Sequence, residues 1–173
     1  MFKISIEDNL KDKISNYSKL IILGIGNNLK SDDGVGPYVI DNLKDISSDN
    51  VLLIDAQTVP ENFTGKIRKE QPSHLIIIDA CLMNEDPGIV KIVDRNDFNN
   101  IGISTHSMSL SYFVKYLEKD MDFKVVFIGI EPKLMEFANA LTPKVKEGAD
   151  NLIEVIKRII WKFYLSDQDY MMM

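Results

Sequence analysis

The sequence predicts an α/β fold, a single domain built on an open, mostly parallel twisted sheet of about five strands with helices on both faces. Three observations carry that prediction. Four short runs are continuously apolar and do not alternate, which marks strands buried on both faces. Helical patterns separate those runs, so consecutive strands can cross over and lie parallel. A chain of 173 residues with 45% hydrophobic content also suits one full core and leaves little for a second.

The elements follow in chain order. Residues 5–15 set Ile6, Leu10 and Ile14 at helical spacing, with Ser5 as N-cap and Asp8 three residues on, which predicts a short leading helix. It is drawn as an extension over 1–17, ahead of a domain at 18–166 and a tail at 167–173 whose "YMMM" reads as a frayed end. The buried strands are "LIILGI" (20–25), "VLLI" (51–54), "HLIIIDA" (74–80) and "KVVFIGI" (124–130). Helices are predicted over 34–44, 107–119 and 143–164, the second with Met108, Tyr112 and Leu117 among its apolar positions. A weaker helical turn falls at 61–70, and "GIVKIVD" (88–94), after the turn "NEDPG", reads as an antiparallel edge strand.

Composition excludes several functions. The net charge is −6 with no long basic run, which argues against a sequence-independent grip on nucleic acid or anionic lipid. One cysteine, Cys81, rules out an internal disulfide and fits a reducing compartment. No run approaches the ~20 apolar residues of a membrane span, and the N-terminus lacks the pattern of a signal peptide. The expectation is a soluble, cytoplasmic protein that acts as a monomer, without membrane insertion.

Ligands of an open parallel sheet bind outside the carboxyl ends of its strands, so the polar residues there are the candidates for chemistry. They are Asn27 after the first strand, Asp55 after the second, Asp79 at the end of the third and Glu131 after the last long one. The first loop, "GIGNNLKSDDGVGP", has G-x-G but neither the third spaced glycine of a dinucleotide fingerprint nor the G-K-[ST] of a P-loop. Its paired Asp32 and Asp33 oppose a phosphate. One of them capping the helix while the other is solvated is the ordinary alternative. Asp79 follows "LIII" directly, with no Lys or Arg nearby, and an ionised carboxylate there needs a compensating donor or cation.

His106, in "ISTHSMSL", sits at a helix start, where a structural role is common, whereas His74 precedes its strand and belongs to the opposite edge. Together Asp33, Asp79 and His106 offer the mixed nitrogen and oxygen ligation that suits divalent transition metals, with positions left open. Spacing alone leaves their convergence open. Cys81 is expected on the other face of its strand from Asp79, as a buried small hydrophobe, and no G-x-S-x-G elbow exists for a serine hydrolase.

The segments "GIGNNLKSDDGVGP", "LIIIDACLMNEDPG", "STHSMSL" and "IGIEPKLMEFANALTP" together resemble the hydrogenase maturation endopeptidases, over residues 20–164. "TVPEN" and "THSMSL" point to the branch serving membrane-associated, hydrogen-evolving hydrogenases. The resemblance implies a cytoplasmic endopeptidase of the aspartyl or metal-dependent type. Its substrate would be the precursor of a nickel-iron hydrogenase large subunit, trimmed at the C-terminus after nickel insertion. It implies Asp33, Asp79 and His106 as both metal ligands and catalytic residues, with nickel supplied by the substrate and other divalent ions able to occupy the site in vitro. Asn27, Asp55, Thr58 and Glu131 are then candidates for contacts to the substrate or to the ligands. One departure is Gln57, in "DAQT", where the resembled family usually carries a small residue, often glycine. Two other readings are a nickel-sensing maturation chaperone that does not cut and a nucleotide-binding module using the first loop.

Overall fold

Leu20–Ile25 is apolar at every position except Gly24, and all six residues are buried, so this strand (β1) belongs inside the sheet. The computed structural model, which describes residues 5–97, 102–103 and 110–171, places it there. β1 pairs in parallel with β2 (Val51–Gln57) on one side and β3 (His74–Leu82) on the other, Leu20 lying opposite Val51 and His74. β3 pairs in parallel with β6 (Lys124–Ile130), with Asp79 opposite Gly129. The edge strand β4 (Val90–Val93) runs antiparallel to β6, as the "GIVKIVD" segment suggested. The strand order is β2-β1-β3-β6-β4, and the two-residue β5 (Gly102–Ile103) pairs antiparallel with β3 off this path.

The alternation of the strands sorts the helices into two layers. Leu20, Ile22, Ile76, Ile78, Val126 and Ile128 face α1 (Ile6–Lys13), α2 (Val35–Asp41) and α5 (Pro143–Met171). Ile21, Leu23, Leu75, Ile77 and Phe127 face α3 (Thr64–Glu70) and α4 (Leu110–Leu117). Along α5 the buried Val145, Ala149, Leu152, Ile156 and Ile159 recur at three- and four-residue steps, the stripe of a helix laid on a sheet. α5 continues to Met171 without a break at 166.

The leading helix is capped as its sequence indicates, Ser5 Oγ accepting from the Asp8 N–H at 3.1 Å. Its Leu10 and Ile14 are fully buried in the larger core, and Glu7 pairs with Arg158 of α5 at 2.9 Å. The helix predicted over 34–44 is shorter in the structure. A 3-10 turn, Ser31–Gly34, leads into α2, which ends at Asp41. A Cβ on Gly36 would lie 2.2 Å from the Ile25 carbonyl oxygen, so only glycine allows α2 to start this close to the sheet.

Strand order reverses at β1, because the chain passes from β1 to β2 on one side and then returns to β3 on the other. The crevice outside the carboxyl ends of β1 and β3 is therefore the topological switch point.

Candidate functional site

The loop after β1 is bent by its backbone before any side chain acts. Gly26 has φ +147°, and a Cβ there would meet the Asp33 carbonyl oxygen at 1.8 Å. Asn27 Oδ1 accepts from the Leu29 N–H at 2.9 Å, its backbone N–H donates to Asp33 O at 3.1 Å, and Ser31 takes φ +48°. This winding turns both Asp32 and Asp33 inward, 0% and 2% exposed. Neither side chain caps the following helix. That overturns the division into one capping and one solvated aspartate.

Asp32 instead anchors a distant loop. Its Oδ2 accepts from the N–H groups of Lys133 and Leu134, both at 2.9 Å, and from Thr142 Oγ1 at 2.9 Å. Its Oδ1 accepts from the Thr142 N–H at 2.6 Å. Four donors satisfy a charge that burial would otherwise make unfavourable. The loop is fastened to the first turn along its backbone as well, by Ser31 N–H to Ala138 O at 2.8 Å and Ala138 N–H to Leu29 O at 3.1 Å.

Asp79 is 1% exposed at the end of β3, and the turn carrying Asp33 packs against that strand. The turn after β1 and the neighbouring strand β3 thus each bury a carboxylate on the side of the switch-point crevice. His106 lies outside the described residues. Among those described, no group of three metal-ligating side chains forms. The chain on both sides of His106 is nonetheless placed. Ile103 lies opposite Cys81, two residues past Asp79, and α4 begins at Leu110 on the face that holds Ile77 and Cys81. Strand alternation puts Asp79 on that same face.

The same alternation corrects the expectation for Cys81, which shares the face of Asp79. It is buried as expected, and burial, followed by the charges of Asp79 and Glu131, pushes its thiol up to about 12, so it is no thiolate nucleophile at neutral pH. His74 sits at the other end of β3. Its Nδ1 is 2.9 Å from Ser73 Oγ, and burial, then the Lys124 charge, lowers its pKa.

The remaining candidates ring the crevice. Asp55 is exposed, and its Oδ1 accepts from the Gln57 N–H at 3.0 Å. Gln57 is exposed with φ +48°, at the register shift where β1 and β2 part. A left-handed backbone favours glycine, which gives a conformational reason for the small residue of the resembled family, and here Gln57 adopts it. Thr58 is half-buried on the same turn. Glu131, 6% exposed, accepts at Oε2 from the N–H groups of Met83 (2.6 Å) and Glu85 (3.3 Å), and so shapes the loop after β3. Sequence reasoning missed the anchoring role of Asp32 altogether.

Fold and site define an α/β protein with an acidic crevice at its switch point. The family model for HycI, hydrogenase maturation protease, matches residues 37–159. The hydrogenase 3 maturation protease of Escherichia coli is 31% identical over 135 residues, covering 78% of this chain and 86% of that one. A Methanocaldococcus jannaschii chain bearing the name of a hydrogenase maturation protease is 38% identical over 169 residues, 93% of this chain and 99% of its own. The crystal structure of the [NiFe] hydrogenase maturation protease HycI from Thermococcus kodakarensis superposes with a TM-score of 0.81 at 28% identity, covering 88% of this chain and 98% of that one. The chain belongs to the hydrogenase maturation protease family, and is accordingly a peptide-bond hydrolase. No helix among its described residues is long and apolar enough to cross a membrane.

Proposed function

We propose that this protein is the nickel-dependent endopeptidase that removes a C-terminal peptide from the precursor of a nickel-iron hydrogenase large subunit once nickel is in place. The observation that carries the reading is the pair of buried carboxylates, Asp33 in the turn that follows β1 and Asp79 towards the carboxyl end of the adjacent β3. Both are oxygen donors suited to a divalent ion, and an imidazole would complete a mixed set. In sequence His106 follows Ile103, the partner of Cys81 in the sheet, by three positions.

In this reading the ion arrives with the substrate. Asp33, Asp79 and His106 engage it, and by doing so they fix the scissile bond relative to the crevice. The bound ion supplies Lewis-acid activation of the peptide carbonyl or of a water. The protein itself contributes anchoring and exclusion, since both carboxylates sit in a nearly closed setting held by Gly26, Gly36 and the loop that Asp32 fastens. Recognition through the ion also explains selectivity of cleavage, because a chain without the metal offers the carboxylates of the crevice nothing to engage. Unrelated unfolded proteins such as casein should survive.

The test is incubation with the matching large-subunit precursor, with and without nickel, followed by mass spectrometry. Loss of a C-terminal peptide only from the nickel-loaded precursor is expected, and Asp33→Ala, Asp79→Ala and His106→Ala should each abolish it. Equal cleavage of the nickel-free precursor would overturn the nickel requirement. Binding of the loaded precursor without any cleavage would convert the enzyme into a sensor.

A further inference from the structure

The rim of the crevice carries an apolar surface that neither the fold nor the proposed metal ligands require. Leu29, Leu134 and Phe137 are 60%, 37% and 81% exposed. They come from the first turn and from the loop that Asp32 fastens, two segments more than a hundred residues apart in sequence. The backbone joins them, since Lys30 bridges Ala138 and the Ala138 N–H donates to Leu29 O at 3.1 Å. Ser31 Oγ adds a bond to Ala140 O at 2.8 Å. These exposed side chains therefore stand on a frame that is hydrogen-bonded on both sides. A phenylalanine with four-fifths of its surface in water, beside two exposed leucines, is an unfavourable arrangement unless something covers it.

Charge indicates what kind of partner. The chain as a whole carries −6, yet this rim presents Lys30 and Lys133, neither of which makes an ion pair among the described residues. Lys30 Nζ lies 5.7 Å from the centre of the Phe137 ring, which keeps its cation beside the apolar patch. Glu136 is the one acid on residues 133–142, and Asp32 and Asp33 of the first turn are buried, so the accessible charges of the rim are two lysines and one glutamate. An apolar patch edged by available lysines fits a protein surface with apolar groups and an acidic border.

Resting on the protease reading above, we infer that Leu29, Leu134 and Phe137, framed by Lys30 and Lys133, form the surface on which the folded body of the large-subunit precursor docks beside the scissile bond. The crevice then recognises the metal, and the rim recognises the protein that carries it. A docking surface held rigid before contact loses little freedom on binding. Its position beside Asp33 means that the precursor can be gripped at the rim while its tail lies across the carboxylates.

The test uses the full chain and the nickel-loaded precursor, and it measures KM and kcat for release of the C-terminal peptide. Phe137→Ser and Leu29→Ser should each raise KM by ~10-fold or more while kcat stays within ~3-fold of the unchanged protein. Lys30→Glu combined with Lys133→Glu should do the same, and should weaken the dependence of KM on salt. Trp161→Ser is the control, because Trp161 is 49% exposed but shares its groove with Ser48 and Asn50, at the amino edge of the sheet. It should change neither constant. Should the serine variants fail to fold, the lysine reversals, on side chains outside the core, still decide the matter. Unchanged KM in the patch variants, or a fall in kcat at constant KM, overturns the docking surface and leaves the protease reading standing. Absence of any cleavage by the unchanged protein overturns the protease reading, and the docking surface with it.

Discussion

Replacing Asp32 by alanine should unfold this protein far more readily than the loss of a helix cap would. Three backbone N–H groups, from Lys133, Leu134 and Thr142, donate to its carboxylate, and the Thr142 hydroxyl is a fourth donor. The hydroxyl can turn elsewhere, but the backbone donors cannot. Each unsatisfied buried donor costs ~1–3 kcal/mol. Lys133 and Leu134 are exposed, so water will recover part of the loss and the low end of that range applies. The sum is ~3–4 kcal/mol, against ~0.5–2 for an ordinary cap and a total stability of ~5–15. Urea unfolding followed by circular dichroism reads this directly. With m of ~2 kcal/mol/M, the midpoint should fall by ~1.5–2 M at unchanged m. A loss below ~1 kcal/mol would refute the reasoning, because it would mean that the loop finds equivalent partners without the carboxylate.

Other expectations follow from the same structure. Burial, then the Lys124 charge, lowers the His74 pKa, so the folded state takes up a proton less readily than the unfolded one. The stability His74 contributes should be complete above ~6.5 and should fall as pH drops below it; His74→Leu should flatten that part of a melting-temperature profile. The Cys81 thiol, pushed up to about 12 and buried, should resist iodoacetamide at pH ~8 until urea is added, and Cys81→Ala should still process precursor. Deleting residues 1–17 removes the fully buried Leu10 and Ile14, each worth ~1.5–3 kcal/mol of burial, and should lower the melting temperature while cleavage at low temperature persists. Loss of cleavage in a deletion variant that remains folded would give the leading helix a part in the reaction.

The buried strands were legible because parallel strands covered on both faces must be apolar at every position, and β1, β3 and β6 obey this almost without exception. β2 reads less clearly. Its polar end, Asp55–Gln57, is held as strand by pairing with Gly24 and Ile25 rather than by its own pattern. β5 is two residues long and exists only through its bonds to β3, so no periodicity announces it. At the site, Asp79 stood out from its place after an apolar strand, whereas the choice of Asp33 over Asp32 came from the family resemblance; the structure buries both aspartates of the pair as well as Asp79. The role of Asp32 could not be found that way. Its partners lie in a loop without regular spacing, and nothing local distinguishes it from the aspartate beside it.

That fastening also bears on the order in which the protein is made. The carboxylate of Asp32 binds donors that follow it by 101, 102 and 110 residues. A chain emerging from the ribosome delivers β1 and the first turn early, but the groups that hold this turn arrive only when Thr142 does. Until then the turn faces water with its charge solvated, and the neighbouring Asp33 lacks the frame that fixes it. The site is thus among the last parts of the molecule to mature, and a product ending short of residue 142 would carry both acidic residues without a formed crevice. Only a chain synthesised past residue 142 can close its own first loop.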